Sequence, residues 1–277
     1  MSGPAAPGGT AMPGGTAAPG GTLYLVPVPV GDGDPCLELA PRVISIIRGM
    51  SDFIVENDRS ARRFLSRVLD QHALDAARFY RLDEHTQPQE LPALLEPLLA
   101  GRDAGIISEA GSPCVADPGT ALVEAAWNAG IRAVPLPGPS AILMAVMASG
   151  LGGQKFSFNG YLPPDPAGRE VALRELETRS ARDGSTQLFI ETPYRNDAMA
   201  SSAARVLRPE TLFCAAIGLS SIDERVIRMK AGRWRTALPQ IGKIPTVFLL
   251  LALPTAGPVH NRADPPRAIP SRRRRGA

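Results

Sequence analysis

Residues Gly105–Gly119 read GIISEAGSPCVADPG. A short apolar run ends at Ser108-Glu109, a glycine turn follows, and Asp117-Pro118-Gly119 leads into the helical pattern GTALVEAAWNAG, which Gly130 closes. The order is strand, loop, helix. In open α/β sheets ligands bind outside the carboxyl ends of strands, so the loop reads as a candidate ligand site. Small Ala110 and Gly111 let a ligand approach the backbone, whose N–H and C=O groups can read an adenine or an amino-acid group. Asp117 reads first as a cap for the coming helix. Glu109 reads as a polar orienter of the loop or as a ligand contact, and the local sequence leaves both open.

The same alternation extends on both sides. TLYLVPVPV (22–30), SDFIVEN, ARFYRL, AGIISE and IRAVPLP are strand patterns. Between them, LELAPRVISIIRGM, SARRFLSRVLDQH, PQELPALLEPLLAG and GTALVEAAWNAG are helical, and PSAILMAVMASG follows the last strand. In the second of these helices Ser60 is the expected cap, and Phe64, Leu65, Val68 and Leu69 share a face. Repeated strand-helix-strand units predict a mostly parallel sheet with helices on its faces. After FSFNGYLPP the texture changes to a long charged helix, GREVALRELETRSARDG, with strand-like runs at TQLFIETP, ETLFCAAIG, ERVIRMKAGRW and IPTVFLLLAL. The expectation is two α/β domains, 22–155 and 156–253, the second with more antiparallel pairing.

The ends differ from this body. PGGT recurs every six residues from position 7, glycine raises the entropic cost of ordering, and nothing large is available to bury, so 1–21 reads as a disordered leader. Residues 254–277 read as a disordered tail, with six arginines and one acid over 258–277. The tail holds about five of the positive charges against a net +3, which leaves the rest about −2. It reads equally as an RNA contact or a solubilising end. With 44% apolar and 21% charged residues the chain is of globular type. Its three cysteines are far apart and its three histidines lack ligand spacing, so no disulfide framework and no metal site are expected. No apolar run is long enough for a membrane span and no signal peptide is evident; the expectation is a cytoplasmic protein. GxxxxGK[ST], HExxH and GxSxG are missing, and GDGD (31–34) is not a dinucleotide fingerprint.

Four strand ends join Pro or Gly to a small or acidic residue: VPVPVGDGD, SEAGSPCVADPG, PLPGPS and IETPYRN. With FIVENDRSARRFL, FSFNGYLP and KIPTVFLL, these run in order through residues 21–251 in a pattern that resembles the tetrapyrrole methylase superfamily of S-adenosylmethionine-dependent enzymes. Within it the chain is most similar to the ribosomal RNA small-subunit methyltransferase I branch, which methylates a cytidine ribose 2′-hydroxyl in 16S RNA. The resemblance implies two α/β domains with the cofactor cleft between them, a homodimer and an RNA acceptor. It implies S-adenosylmethionine contacts at Val28, Pro29, Glu109, Ala110, Gly111, Ser112, Ser140, Ala141, Ile190, Ala216, Pro245 and Thr246. The chain departs from the branch at Glu109, where Asp is usual, at Asn57 in ENDR, at Tyr194 in ETPYR, at His85-Thr86 and in the GDGDPC step.

Transfer to a ribose hydroxyl needs a group that takes the hydroxyl proton, and a carboxylate or histidine within hydrogen-bond reach serves. The candidates expected to face the cleft are Glu56, Asp58, His85 and Glu191. Arg195, with Arg59, Arg62 and Arg63, is a candidate for phosphate or for orienting a carboxylate, or else for salt bridges and a solvated helix face. The alternative acceptors are a tetrapyrrole-like small molecule or another non-RNA group.

Overall fold

The computed structural model describes residues 20–254. The leader and tail readings therefore fall outside the described residues, apart from Gly20, Gly21 and Pro254 at the margins. Gly21 already donates its N–H to Leu98 O at 2.8 Å.

The first sheet comprises β1 (Leu23–Val26), β2 (Asp52–Val55), β3 (Arg78–Arg81), β4 (Ala104–Ile107) and β5 (Ala133–Pro135). All its pairings are parallel, in the order β3-β2-β4-β1-β5. β2 and β4 are buried at every position, as internal parallel strands covered on both faces must be. The connecting helices are α1 (Pro35–Glu38), α2 (Pro41–Arg48), α3 (Asp58–Leu65), α4 (Gln71–Ala76), α5 (Leu91–Leu94), α6 (Glu96–Leu99) and α7 (Gly119–Asn128).

Three helical expectations are corrected by local chemistry. Asn57, not Ser60, caps α3: its side chain accepts from the N–H groups of Arg59 and Ser60. The apolar face of Phe64, Leu65, Val68 and Leu69 is buried, but the helix ends at Leu65 and the last two lie on the following turn. The segment expected as one helix at 88–101 is a 3-10 turn followed by α5 and α6. Pro92 and Pro97 each lack the N–H that a continuous helix would need, and each sits near the start of a new piece.

At the foot of the first sheet Asp52 is fully buried. It accepts from Arg78 at 2.6 and 2.8 Å, from the Tyr80 hydroxyl at 2.8 Å and from Arg102 at 3.3 Å. Hydrogen bonds from Arg78 hold its carboxyl far below the ordinary carboxylate range. Replacing it by alanine removes the tie between β2, β3 and the turn before β4. Because both arginines are about half exposed and can be rehydrated, the expected cost is about 2 kcal/mol. A lowered folded pKa means the contribution is present above the unfolded value of about 4 and fades below it. Urea denaturation at pH 7 and at progressively lower pH should show the difference between parent and Asp52→Ala shrinking in acid.

The second sheet comprises β6 (Phe156–Tyr161), β7 (Thr186–Ile190), β8 (Leu212–Ile217), β9 (Arg225–Lys230) and β10 (Thr246–Leu251), in the order β6-β7-β10-β8-β9. Only β6 and β7 are parallel; the other pairs are antiparallel, as the change of texture predicts. ERVIRMKAGRW is β9 followed by a helix rather than strand throughout. The remaining helices are α8 (Ala141–Ser149), α9 (Pro166–Asp183), α10 (Asn196–Val206) and α11 (Ala231–Thr236). One face packs Phe189, Phe213 and Phe248 beneath α9, α10 and α11, and Trp234 of α11 lies edge-on to Phe213. The stacked pair Phe213–Phe248 has centroids 5.8 Å apart, and the Trp234 indole N–H donates to Phe213 O. The other face is covered by α8, whose Ala145 and Val146 join Leu188, Cys214, Ala216, Val247 and Leu249. Helix α8 thus follows the last strand of the first sheet and packs on the second, which carries its N-terminus to the space between them.

Candidate functional site

In the first sheet the chain leaves β1 toward β2 on one side and passes from β4 to β5 on the other. The loops after β1 and β4 therefore diverge at adjacent strand ends, the place where such sheets open a crevice. The two loops are tied together there. Val28 and Gly111 exchange both backbone hydrogen bonds at 2.9 Å, with Gly111 at φ +72. This consumes the backbone groups of those two residues that the sequence leaves free for a ligand, and the pair acts as a brace. The Ser112 hydroxyl extends it by donating to Pro139 O at 3.1 Å.

Asp117 is the organiser of the rest of the loop. Its carboxylate accepts from the Cys114 and Gly119 N–H groups at 2.8 Å, which pins the start of α7. Cys114 and Ala116 are held at φ +66 and +61, a left-handed conformation costly for residues with a Cβ and maintained here by the Asp117 bonds. Burial pushes the Cys114 thiol up to about 11, which leaves it protonated and unreactive at neutral pH.

Facing these loops, the second sheet contributes one row of side chains. Ile190, Val247 and Ala216 are cross-strand neighbours on β7, β10 and β8. The loop before β10 is fixed from α10: Asn196 Nδ2 donates to Gly242 O and Ile244 O, and Asp197 accepts from Ile241 N at 2.7 Å. The halves meet closely at the first loop. A Cβ on Gly31 would lie 2.3 Å from Ser220 O, so only glycine lets the two backbones come this near.

Between them lies an open cleft of about 870 Å³, within the usual range for small-molecule sites. All the residues expected at the cofactor line it: Val28, Pro29, Glu109, Ala110, Gly111, Ser112, Ser140, Ala141, Ile190, Ala216, Pro245 and Thr246. Ser140 stands at the N-cap of α8 but makes no capping bond, so its hydroxyl and the first-turn N–H groups face the cleft without intrahelical partners.

The expected catalytic set divides. Glu56 lines the cleft with no hydrogen bond to its carboxylate among the described residues, and burial, then the charges of Glu109, Asp117, Glu84 and Asp83, raise its pKa. Asp58 and His85, expected to face the cleft, do not line it. Asp58 is exposed in the first turn of α3, and the His85 side chain is 83% exposed beside Glu84, because the turn after β3 folds outward around Asp83. Glu191 lines the cleft, but its fully buried carboxylate is engaged by Arg195 through both oxygens and by Thr192 N–H. Arg195 itself is not part of the lining; its guanidinium is held by Glu191. Of the other arginines, Arg62 stacks on Phe79 at 4.2 Å, Arg59 is exposed outside the lining, and Arg63 lines the cleft. Arg67, Tyr161 and Lys243 line it too and were not singled out by sequence. The motif FSFNGYLP contained the tyrosine, but an alternating strand pattern gives no sign that its last aromatic faces a ligand.

The lining carries the acids Asp32, Glu56, Glu109, Asp117, Glu191 and Asp223 against the cations Arg63, Arg67 and Lys243. The Ser60 hydroxyl lies 2.5 Å from a Glu109 oxygen, linking the start of α3 to the β4 loop across 49 residues of sequence. Such a lining, with more acids than bases, favours a small cation.

Comparison with known proteins agrees with this arrangement. The model of the tetrapyrrole (corrin/porphyrin) methylases matches residues 22–234. The ribosomal RNA small subunit methyltransferase I of Vibrio cholerae is 34% identical over 174 residues, a match covering 62% of this chain and 56% of that protein. Over its match the chain thus spans little more than half the length of that relative. The protein of the same name from Micromonospora olivasterospora is 34% identical over 254 residues, covering 90% of this chain and 75% of its own. The solved structure of the methyltransferase CobJ superposes with a TM-score of 0.58 at 20% identity, covering 84% of this chain and 94% of that one, which is a likeness of fold. Two sheets that close on one cleft, and a family match over most of the described residues, make the chain a member of the tetrapyrrole methylases, the S-adenosylmethionine-dependent family that its loop motifs resemble.

Proposed function

We propose that the protein is an S-adenosylmethionine-dependent methyltransferase that methylates a ribose 2′-hydroxyl in 16S ribosomal RNA. The observation that carries this reading is the single cleft on which all the residues expected at the methyl donor converge from both sheets. The residues fit the donor. The acid-rich lining suits a sulfonium, the Ile190-Val247-Ala216 row offers an apolar wall, and the unpartnered first turn of α8 suits a carboxylate. When bound, S-adenosylmethionine supplies a methyl group on a positively charged sulfur. The chain's own part is to orient the acceptor, exclude water and receive the hydroxyl proton. Glu56 is the candidate for that proton, since its carboxylate faces the cleft without a hydrogen-bond partner among the described residues and its raised pKa makes it the stronger base.

The RNA acceptor is supported by the names of the relatives and by the cations of the lining, Arg63, Arg67 and Lys243, which suit phosphates. A homodimer and a cytoplasmic location belong to the same proposal. No helix among the described residues is long and apolar enough to cross a membrane.

Isothermal titration with S-adenosylmethionine should show binding, and methyl transfer to 16S RNA from a strain lacking the gene should add one ribose methyl on mass mapping. Absence of donor binding defeats the enzyme reading. Donor binding without any added methyl in 16S RNA defeats the RNA acceptor and turns attention to tetrapyrrole-like acceptors.

A further inference from the structure

We propose that the acceptor enters the cleft as one unstacked nucleotide, its base stacked on Tyr161 and Tyr194 and its flanking phosphates held by Arg63 and Arg67. The inference rests on the RNA reading above and specifies how that substrate is presented.

Tyr161 ends β6, lines the cleft and is 56% exposed. After an irregularity in the β6–β7 ladder it pairs with Ile190, one strand away from an expected donor contact. Tyr194 is 79% exposed and lies three residues beyond Glu191, which lines the same cleft. Lys243, another lining residue, places its ammonium 5.0 Å from the Tyr194 ring centroid. That contact steadies the ring, and its high exposure leaves aromatic surface for a second partner. Tyr161 in the lining, and Tyr194 outside it but held against the lining residue Lys243, are exposed aromatic rings of the kind on which single-stranded bases stack without regard to sequence.

The facing wall is α3 and the turn after it. Arg63 and Arg67 are four residues apart, line the cleft and have no acidic partner within ion-pair distance among the described residues. Of the other charged lining residues, Glu56 and Asp117 are partly buried and Asp32, Glu109 and Asp223 are exposed, and phosphate is expected to avoid all of them. On this proposal a nucleotide enters with its ribose inward, its base on the tyrosines and its phosphates at the two arginines that lack an acidic partner among the described residues. A duplex keeps each base stacked between neighbours and cannot present it in this way.

The test uses the full chain, labelled S-adenosylmethionine and a 16S-derived oligoribonucleotide, single-stranded or annealed to its complement. Tyr161→Ala and Tyr194→Ala are each expected to raise KM for the single strand about ten-fold, with donor affinity unchanged and Phe in place of either Tyr restoring KM. Arg63→Gln and Arg67→Gln are expected to reduce the salt dependence of RNA binding. The annealed RNA is expected to be a poor acceptor. The proposal is overturned if the parent chain methylates RNA and both alanine variants keep its KM, or if the duplex is methylated equally well. A parent chain that methylates no RNA overturns the RNA reading itself and this inference with it.

Discussion

Glu56→Gln is expected to lower methyl transfer at saturating donor by about 10²- to 10⁴-fold while leaving folding intact. The glutamine keeps the size and polarity of the side chain and removes only its capacity to take a proton. Glu56 is only partly buried and has no hydrogen-bond partner among the described residues, so no network collapses with its charge. Its pKa is raised by burial and by the neighbouring acids Glu109, Asp117, Glu84 and Asp83. A carboxyl with a raised folded pKa binds its proton more tightly in the native state than in the unfolded chain. Its ionisation therefore costs stability as pH rises from the unfolded value through the folded one. Removing the charge should leave the protein as stable at neutral pH, or more stable. Activity should move the opposite way: in the parent it rises as Glu56 deprotonates, above the ordinary carboxylate range, and that limb should vanish in the variant. Single-turnover rates against pH, with thermal unfolding in parallel, read both. A variant that keeps the parent rate removes Glu56 from the proton-transfer role.

Arg195→Ala is expected to lower stability measurably, by less than the loss of a wholly buried pair, because the guanidinium is itself partly exposed and water can replace part of it. The Glu191 side chain is fully buried, and Arg195 reaches both of its oxygens from one turn further on. Without the guanidinium a carboxylate is left in the interior with only the Thr192 N–H. The loss is one of an uncompensated charge, so neutralising the survivor should recover part of it. The double variant Glu191→Gln with Arg195→Ala should be more stable than Arg195→Ala alone. Urea denaturation of the three proteins measures the coupling. Additive losses would show that the two side chains act independently and would return Arg195 to the list of phosphate contacts.

This pair shows where the sequence stops being sufficient. ETPYR marks a strand end with an acid and a base four residues apart, and that spacing suits both a catalytic couple and an ion pair. Which one it is depends on whether the carboxylate lies in the interior and on what else can reach it, and neither is a local property. Asp58 and His85 are similar. Each sits near a strand end that opens on the cleft side, but the turn built by Asp83 directs His85 outward and Asp58 lies in the exposed first turn of a helix. Arg67, Tyr161 and Lys243 gave the converse result: ordinary residues in pattern, brought to the cleft by the meeting of two sheets.

By itself the sequence determined the strands, most of the helices, the parallel first sheet, the mixed second sheet and the family. These follow from side-chain periodicity, from glycine and proline at turns, and from loop motifs carried in one order along the chain. It could not decide how the prolines would divide the helix at 88–101, because propensity competes there with packing on α7. It could not decide that Val28 and Gly111 would spend their backbone groups on each other, or that Glu56 alone of the candidate acids and bases would face the cleft without a partner. Those outcomes depend on contacts between residues tens of positions apart, such as Ser60 with Glu109 and Gly31 with Ser220. A hydrogen bond or a desolvated charge is fixed by distance in space, and only the tertiary structure sets that distance.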